Sequence, residues 1–366
     1  MTKLLFKISR LFIGALCIIT SLSACSQQPK DNNMKWTAKY DFFDLYKVKV
    51  NDNTFNPGSA VSLDKIVIPY ENTIIMGAEK DEHSFDSSKS SIAVLFVSND
   101  KGKSYQEIKT GEEDLEYMEY KGDYTLIKAY TMDSLAVKHY KILLLNNKTF
   151  ELKKADEYTE PEDFSNYYYS DFDGKYIVLE NFGKNTVVNL LNKDEYYSIP
   201  VDEIGKSYFH IGNGKIIYKK EQNIMEYNVK TKESKVLSQL KDRYDYFFYI
   251  DNQLTLQKKI LEEGDKYKYG IYDIYEKKLY EETNENKSFY RYKNFVCDYR
   301  KLGVKPEIRY SYDYGKTWKS HHVQGFTILQ SLAGFYKDQF LVTEGIFWHF
   351  DSPESGGRVM VGEFVK

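Results

Sequence analysis

The chain reads as an all-β protein, a β-propeller of four-stranded antiparallel blades, and three observations lead there. Of 366 residues, 34 are tyrosine and 22 phenylalanine while only 7 are proline, a composition that suits pleated, half-buried strands. Short alternating apolar segments recur along the whole length, separated by turns rich in Asn, Asp or Gly. Two kinds of hairpin alternate with a period of roughly 40–50 residues, and two hairpins per period make one four-stranded sheet, the unit that propellers repeat.

The N-terminus stands apart from this pattern. Lys3, Lys7 and Arg10 precede the apolar run LFIGALCII, which leads into Leu22-Ser23-Ala24-Cys25. A cationic start, an apolar run and a small-residue cleavage site make a secretory signal. The residues around Cys25 resemble the lipobox of bacterial lipoproteins. The run is well short of the roughly 20 residues that cross a bilayer. The expectation is a signal peptide over 1–24, a lipidated Cys25 and polar linker over 25–35, and a single propeller domain over 36–366. Such a chain sits at the cell envelope through its acyl (palmitate-type) membrane anchor. Ser26 after the lipidated cysteine implies the outer membrane, facing the periplasm, if the host is Gram-negative.

Of three cysteines, Cys17 would leave with the signal and Cys25 would be acylated, so Cys297 is alone and no disulfide forms within one mature chain. Its setting, NFVCDY, alternates, so Cys297 reads as a buried small hydrophobe and not a nucleophile. The formal charge is −3, and loss of Lys3, Lys7 and Arg10 leaves roughly −6. Nucleic acid is therefore excluded as the expected partner. Acidity concentrates in GEEDLEYMEY (111–120) and ADEYTEPED (155–163). Both read as solvated loops between strands, with a face for a basic partner as the functional alternative.

The first kind of hairpin is an aromatic-rich strand, a turn and a second apolar strand. It occurs as MEYKGDYTLIKAY (118–130), SDFDGKYIVLEN (170–181), FHIGNGKIIYKK (209–220), FYIDNQLTLQKK (248–259), YRYKNFVCDYR (290–300) and GFYKDQFLVTEG (334–345). The second kind follows most of these: YKILLLNNKTFELKK (140–154), NTVVNLLNKDEYYSI (185–199), NIMEYNVKTKESKVL (223–237), YGIYDIYEKKLYEE (269–282) and EIRYSYDYGKTWKS (307–320). An earlier repeat combines KIVIP, NTIIMGAE and SIAVLFVSNDKGKSYQEI (91–108). The last hairpin and RVMVGEFV lack one strand, which WTAKYDFFDLYKVKV (36–50) supplies, so the two termini share a sheet and leave no open edge. This counts seven blades, with six as the alternative.

One turn occurs in two near copies, SNDKGKSY from residue 98 and SYDYGKTW from residue 311. Gly102 and Gly315 supply a position tolerant of positive φ. Asp100 and Asp313 carry carboxylates that can accept backbone N–H groups across the turn, the Ser104 and Thr317 hydroxyls can add a local bond, and Tyr105 and Trp318 can pack beneath. With Ser98 and Ser311 the pattern resembles the Asp-box, or BNR repeat, of the sialidase-like β-propeller superfamily. That resemblance implies a structural role for these ten residues, away from the ligand face. Worn versions occur at NNKTF (146–150) and VKTKES (229–234).

The same resemblance implies a test for hydrolase activity, because sialidases hold the substrate carboxylate with three arginines, the first in a Phe/Tyr-Arg-Ile-Pro motif. A bidentate fork is what that clamp requires. Here the stretch is Ile66-Val67-Ile68-Pro69, with Val67 in the arginine's place, and no arginine occurs between Arg10 and Arg243. Arg243, Arg291, Arg300, Arg309 and Arg358 are the remaining five. Glu79 resembles the acidic strand end of that family but reads as an isolated carboxylate. His321 and His322 are adjacent on a strand and point to opposite faces, so they make no metal pair. His83, His139, His210 and His349 have no ligand spacing, and there is no phosphate loop or serine elbow. No catalytic residue, metal or cofactor is expected. The reading is a non-catalytic, envelope-anchored binding module, its partner most simply a protein, for example in toxin neutralisation or assembly of an envelope complex. The alternative is a sialidase-like hydrolase or glycan-binding protein.

Overall fold

The structure, a computed structural model, describes residues 33–41, 61–80, 91–159, 168–181, 184–192, 194–199, 209–212, 214–239, 246–250, 253–259, 267–273, 278–282, 290–299, 307–322, 328–347 and 356–366. The signal, Cys25, Arg243, Arg300, His83 and His349 lie outside these residues.

The first described strand, β1 (Met34–Asp41), belongs to the last sheet. A first sheet then contains β2 (Val61–Tyr70), β3 (Thr73–Lys80), β4 (Ile92–Ser98) and β5 (Gln106–Lys109). The second contains β6 (Asp114–Lys121), β7 (Tyr124–Met132), β8 (Lys138–Asn146) and β9 (Leu152–Thr159). The third has β10 (Tyr168–Phe172), β11 (Tyr176–Asn181), β12 (Lys184–Asn189) and β13 (Tyr196–Ile199), and the fourth β14 (Phe209–Gly212), β15 (Lys215–Lys220), β16 (Asn223–Asn228) and β17 (Glu233–Gln239). The fifth has β18 (Tyr246–Ile250), β19 (Gln253–Lys259), β20 (Tyr267–Asp273) and β21 (Lys278–Glu282). The sixth has β22 (Tyr290–Tyr292), β23 (Phe295–Asp298), β24 (Glu307–Ser311) and β25 (Lys319–His322). The seventh has β26 (Ile328–Tyr336), β27 (Phe340–Phe347) and β28 (Gly356–Phe364), with β1 as its fourth strand.

In the first six sheets the strands follow chain order, in the seventh β1 pairs with β28 after β26 and β27, and all of these pairs are antiparallel. The first strands of successive sheets lie side by side: β2 lies against β26 and β6, β10 against β14, and β14 against β18. Sheets that meet along their first strands and pack face to face are the arrangement of a β-propeller.

Strand alternation builds the packing between sheets. Ile74 and Met76 of β3 face the seventh sheet and meet Phe340, Val342 and Val359. Their neighbour Ile75 faces the second sheet and meets Leu115, Met118 and Ile127. Both faces are therefore apolar, and all three side chains of β3 have no exposed surface (0%). Leu126, Ile142 and Leu144 pack on Phe172 and Ile177 of the third sheet, and Val178 and Val187 pack on Ile216 and Tyr218 of the fourth.

β1 and β28 meet as expected: Met34 pairs with Phe364 and Asp41 with Arg358. The strand begins at Met34, so the boundary expected at residue 36 falls inside it, and 42–50 lies outside the described residues. Lys101 of the first sheet reaches Glu363 at 2.8 Å and covers the Phe340 ring at 4.4 Å, fastening the first sheet to the seventh. The acidic runs are corrected by the structure: 114–120 is strand β6 and 155–159 lies in β9, not in loops. Leu115 and Met118 are both buried on one face of this strand, brought there by a register slip between Leu115 and Tyr117.

Candidate functional site

Strand direction divides the first two sheets into two ends. β2 starts, β3 ends and β4 starts at one end, while the turn after β4, which carries Ser98–Tyr105, lies at the other. The same holds for the second sheet, where β6 and β8 start and β7 ends at the first end. The repeated turn motif and any site at that first end are thus on opposite sides of the molecule.

At the turn-motif end the local bonds follow the residue types. Asp100 Oδ1 accepts the amides of Lys103 at 2.9 Å and Ser104 at 3.0 Å, and its Oδ2 accepts the Ser104 hydroxyl at 2.7 Å. Ser98 Oγ accepts the Gly102 amide at 2.9 Å and donates to Asp100 at 2.8 Å. Ser311, Asp313, Gly315 and Thr317 repeat the set, with Thr317 N–H and hydroxyl on Asp313 at 2.8 and 2.6 Å. Hydrogen bonds from Ser311 and Thr317 hold the Asp313 carboxyl down at about 2. Gly102 has φ 82° and Gly315 φ 83°, and the preceding Lys101 and Tyr314 are left-handed as well, at 60° and 61°. Tyr105 packs at the edge of the core of the first and seventh sheets, and the Arg309 guanidinium lies 4.9 Å from the Trp318 ring.

The opposite end brings Glu79 and the acidic run at 111–120 together with Asp64, a grouping that the sequence does not show. Asp64 on β2, Glu79 on β3 and Asp114 on β6 bring ligand oxygens within 4.8 Å of one another. Glu79 is therefore not isolated; it shares a hydrogen bond with Asp114. The Asp114 carboxylate also accepts the Tyr130 hydroxyl. Beside it Glu116 accepts the Tyr140 hydroxyl at 2.6 Å and Lys128 at 2.6 Å. Lys128 lies over the Tyr140 ring and Lys138 over the Tyr130 ring, each at 4.2 Å, and the two rings meet edge to face at 5.5 Å.

Backbone bulges aim these acids. The β2–β3 register slips between Leu63 and Lys65, leaving Asp64 as the extra residue, and the β6–β7 register slips between Leu115 and Tyr117, leaving Glu116. A third slip falls at the equivalent place in β10, between Tyr169 and Asp171. A bulge puts consecutive side chains on one side and re-aims them, a device common beside functional sites. Bulges break alternation, which is why pattern reading does not see them; the polar pair Asp64-Lys65 inside an otherwise alternating strand is the one available signal.

Electrostatics sharpen the cluster. Burial, and then the Asp114 charge, push the Asp64 carboxyl above its ordinary value, and among the described residues its Oδ2 is buried with no hydrogen-bond partner. For Glu116 burial acts upward too, but Lys128 and Tyr140 outweigh it and hold the carboxyl low. Burial and Asp114 raise the Tyr130 phenol. The arrangement stabilises positive charge where the first strands begin, and three oxygens this close could ligate a cation.

The other expected positions are spread over the molecule. Val67 packs in the core between the first two sheets, beside the cluster of Leu115 and Met118. Arg309 lies on Trp318 at the turn-motif end, Arg291 is in β22 and Arg358 in β28. Cys297 is fully buried (0%) in β23, where burial raises its thiol well above the ordinary range. His321 is buried against Trp36 while His322 is exposed, His139 sits on Asp133 at 3.1 Å, and His210 is in β14.

No family model and no curated protein matches the chain. Among solved structures it is similar to the β-propeller domain of the Trilobed protease from Pyrococcus furiosus, at 11% identity and TM-score 0.47, covering 78% of this chain and 91% of that one. It is also similar to the Pyrococcus horikoshii acylaminoacyl peptidase, at 14% identity and TM-score 0.47, covering 80% of this chain and 51% of that one, so the chain spans about half of that enzyme's length. An uncharacterized protein from Listeria monocytogenes shows 11% identity and TM-score 0.46 over 77% of this chain and 88% of that one. The protein is an all-β propeller of four-stranded antiparallel sheets.

Proposed function

We propose that the protein is a non-catalytic binding module, a seven-bladed ring tethered to the cell envelope through lipid on Cys25, which captures a protein partner through a cationic group. One observation carries this reading: Asp64, Glu79 and Asp114 converge within 4.8 Å where the first strands begin, opposite the repeated turns. Aromatic rings and carboxylates at that end suit a lysine or arginine side chain, which can take a carboxylate and a ring face together. The lipid anchor rests on the leader sequence and Cys25, and the ring on the side-by-side first strands and the shared terminal sheet.

The sialidase-like alternative finds less support. Val67 replaces the first clamp arginine and is packed in the core, and Arg309 is engaged by Trp318 away from the acidic end.

The test is affinity capture from envelope extract of the native cells. One protein retained in near-equal amount by the unmodified chain, and lost at high salt and from an Asp64→Asn, Glu116→Gln variant, is the expected result. Equal retention by the variant would overturn the reading.

A further inference from the structure

The connection between β7 and β8 stands at the same end as the acidic cluster and is unusually well fixed for a surface turn. Asp133 Oδ1 accepts the amides of Leu135 at 2.8 Å and Val137 at 3.0 Å, and its other oxygen meets His139 Nε2 at 3.1 Å. The main chain closes twice more, from Ala136 N–H to the Asp133 carbonyl and from Asp133 N–H to the Val137 carbonyl, both at 3.0 Å. Ala136 is left-handed at φ 61°, a conformation that disfavours any residue with a Cβ. Glu113 then holds the Met132 amide at 3.0 Å.

What this clamped and strained turn displays is apolar. Leu135 is 83% exposed, the most exposed of the large hydrophobic side chains described, and Met132 beside it is 42% exposed. A single exposed leucine on a mobile loop would be ordinary. Here the backbone is fixed in advance, so an encounter would lose little conformational freedom on docking. The surroundings set the charge of the partner: Glu113, Asp114 and Asp133 flank the knob, while the nearby cations are already engaged, Lys128 and, across the strand from Met132, Lys138 with Glu116 and Lys141 with Glu112.

We propose that Leu135 and Met132 form an apolar knob through which this acidic face docks a protein partner that offers an apolar cleft edged by lysine or arginine. The inference rests on the binding-module reading and adds the contact that selects the partner. An anionic lipid surface is disfavoured by the same carboxylates.

Two defined probes separate the parts: a short amphipathic peptide of leucine and lysine, and its alanine and lysine counterpart with the same charge. The full chain in detergent should bind the leucine peptide about tenfold tighter, the worth of burying one such side chain. Leu135→Asn should remove that preference while leaving the alanine peptide's binding and the melting temperature unchanged, and Leu191→Asn, at an exposed leucine of the third sheet, should leave the preference intact. No preference between peptides, a preference that survives Leu135→Asn, or Leu135-dependent binding to phosphatidylcholine vesicles in its place would overturn the knob. Failure of Asp64→Asn, Glu116→Gln to weaken the alanine peptide would instead overturn the acidic-site reading, and binding of neither peptide overturns both.

Discussion

The amide of Lys101 donates to the carbonyl of Asn72 at 2.9 Å, tying the turn that closes the outer hairpin of the first sheet to the turn of its inner hairpin. The tie recurs from Asn147 to Asp123, Leu190 to Lys175, Val229 to Gly214 and Tyr314 to Asn294. It requires the outer turn to curl back across the sheet, and the left-handed backbone at Lys101 and Tyr314 provides that curl in two of the cases.

Asp313 should be worth more to stability than its exposure suggests, since its carboxylate accepts the Thr317 amide and hydroxyl and the Ser311 hydroxyl. Asp313→Ala is expected to cost about 1–2 kcal/mol in urea unfolding at neutral pH. Its carboxyl is held at about 2 against an ordinary 3.8, so the folded state favours the ionised form. That contribution is fully present above the ordinary value and is lost as pH falls through the folded one. The difference between the two proteins should therefore close between about pH 4 and pH 2.

Asp64 should behave in the opposite sense. Its carboxyl is raised by burial and by Asp114, so the folded state favours the proton, and stability is lost as pH rises through the raised folded value. Asp64→Asn should stabilise by about 1 kcal/mol at neutral pH, because a buried carboxylate oxygen no longer lacks a partner. Thermal unfolding should show the gain shrink toward pH 3.8. A variant that is less stable at neutral pH would show that Asp64 serves the fold and not the site.

How far the sequence foretells these features depends on whether a feature leaves alternation intact. The hairpins at 118–130 and 140–154 were legible because Leu126, Ile142 and Leu144 keep a period of two against the third sheet. The worn turns are legible as relatives of the motif, but their geometry is shifted: Asn146 Oδ1 accepts Lys148 and Thr149 at 2.9 and 3.1 Å, and Asn228 Oδ1 accepts Lys230 and Thr231 at 3.0 and 3.2 Å, one residue earlier than the amides that Asp100 accepts. Their positive φ falls at Phe150 and Lys232, four residues after the asparagine, where Gly102 lies two after Asp100. The acidic site is legible only in pieces, Glu79 and the run at 111–120, for a different reason. It joins three strands from two sheets, and Asp64 and the neighbouring Glu116 are bulge residues.

At Gly334 the seventh sheet packs tightly against Ile66 of the first. A Cβ there would fall 2.5 Å from Ile66 Cγ2 and 2.9 Å from the Ile66 carbonyl oxygen. The second contact is backbone, so a rotamer change of Ile66 cannot relieve it. Gly334→Ala should destabilise by about 1–3 kcal/mol, the usual cost of overpacking. Gly111→Ala tests a different mechanism: it meets nothing within 4 Å, and its cost should come only from the left-handed φ of 82°.

Closure of the terminal sheet should be measurable at Tyr310. Its ring is fully buried (0%) among Phe295, Phe364 and Met34, while its hydroxyl donates to the carbonyls of Asn33 and, at 3.1 Å, Val365. One phenol thus ties the sixth sheet to the residues flanking β1 and β28, and Asn33 returns the contact through its amide to the Ser320 carbonyl at 2.8 Å. Tyr310→Phe keeps the ring packing and removes only the hydroxyl, so the expected loss is about 1 kcal/mol. Its location is the sharper expectation. Hydrogen exchange should quicken first in β1 and β28, whose pairing runs from Met34 with Phe364 to Asp41 with Arg358, because removing a tie at the seam lowers the local opening energy there before it reaches the inner sheets. Uniform acceleration across the second and third sheets instead would mean that the ring opens as one unit and that the shared terminal sheet is not its weakest point.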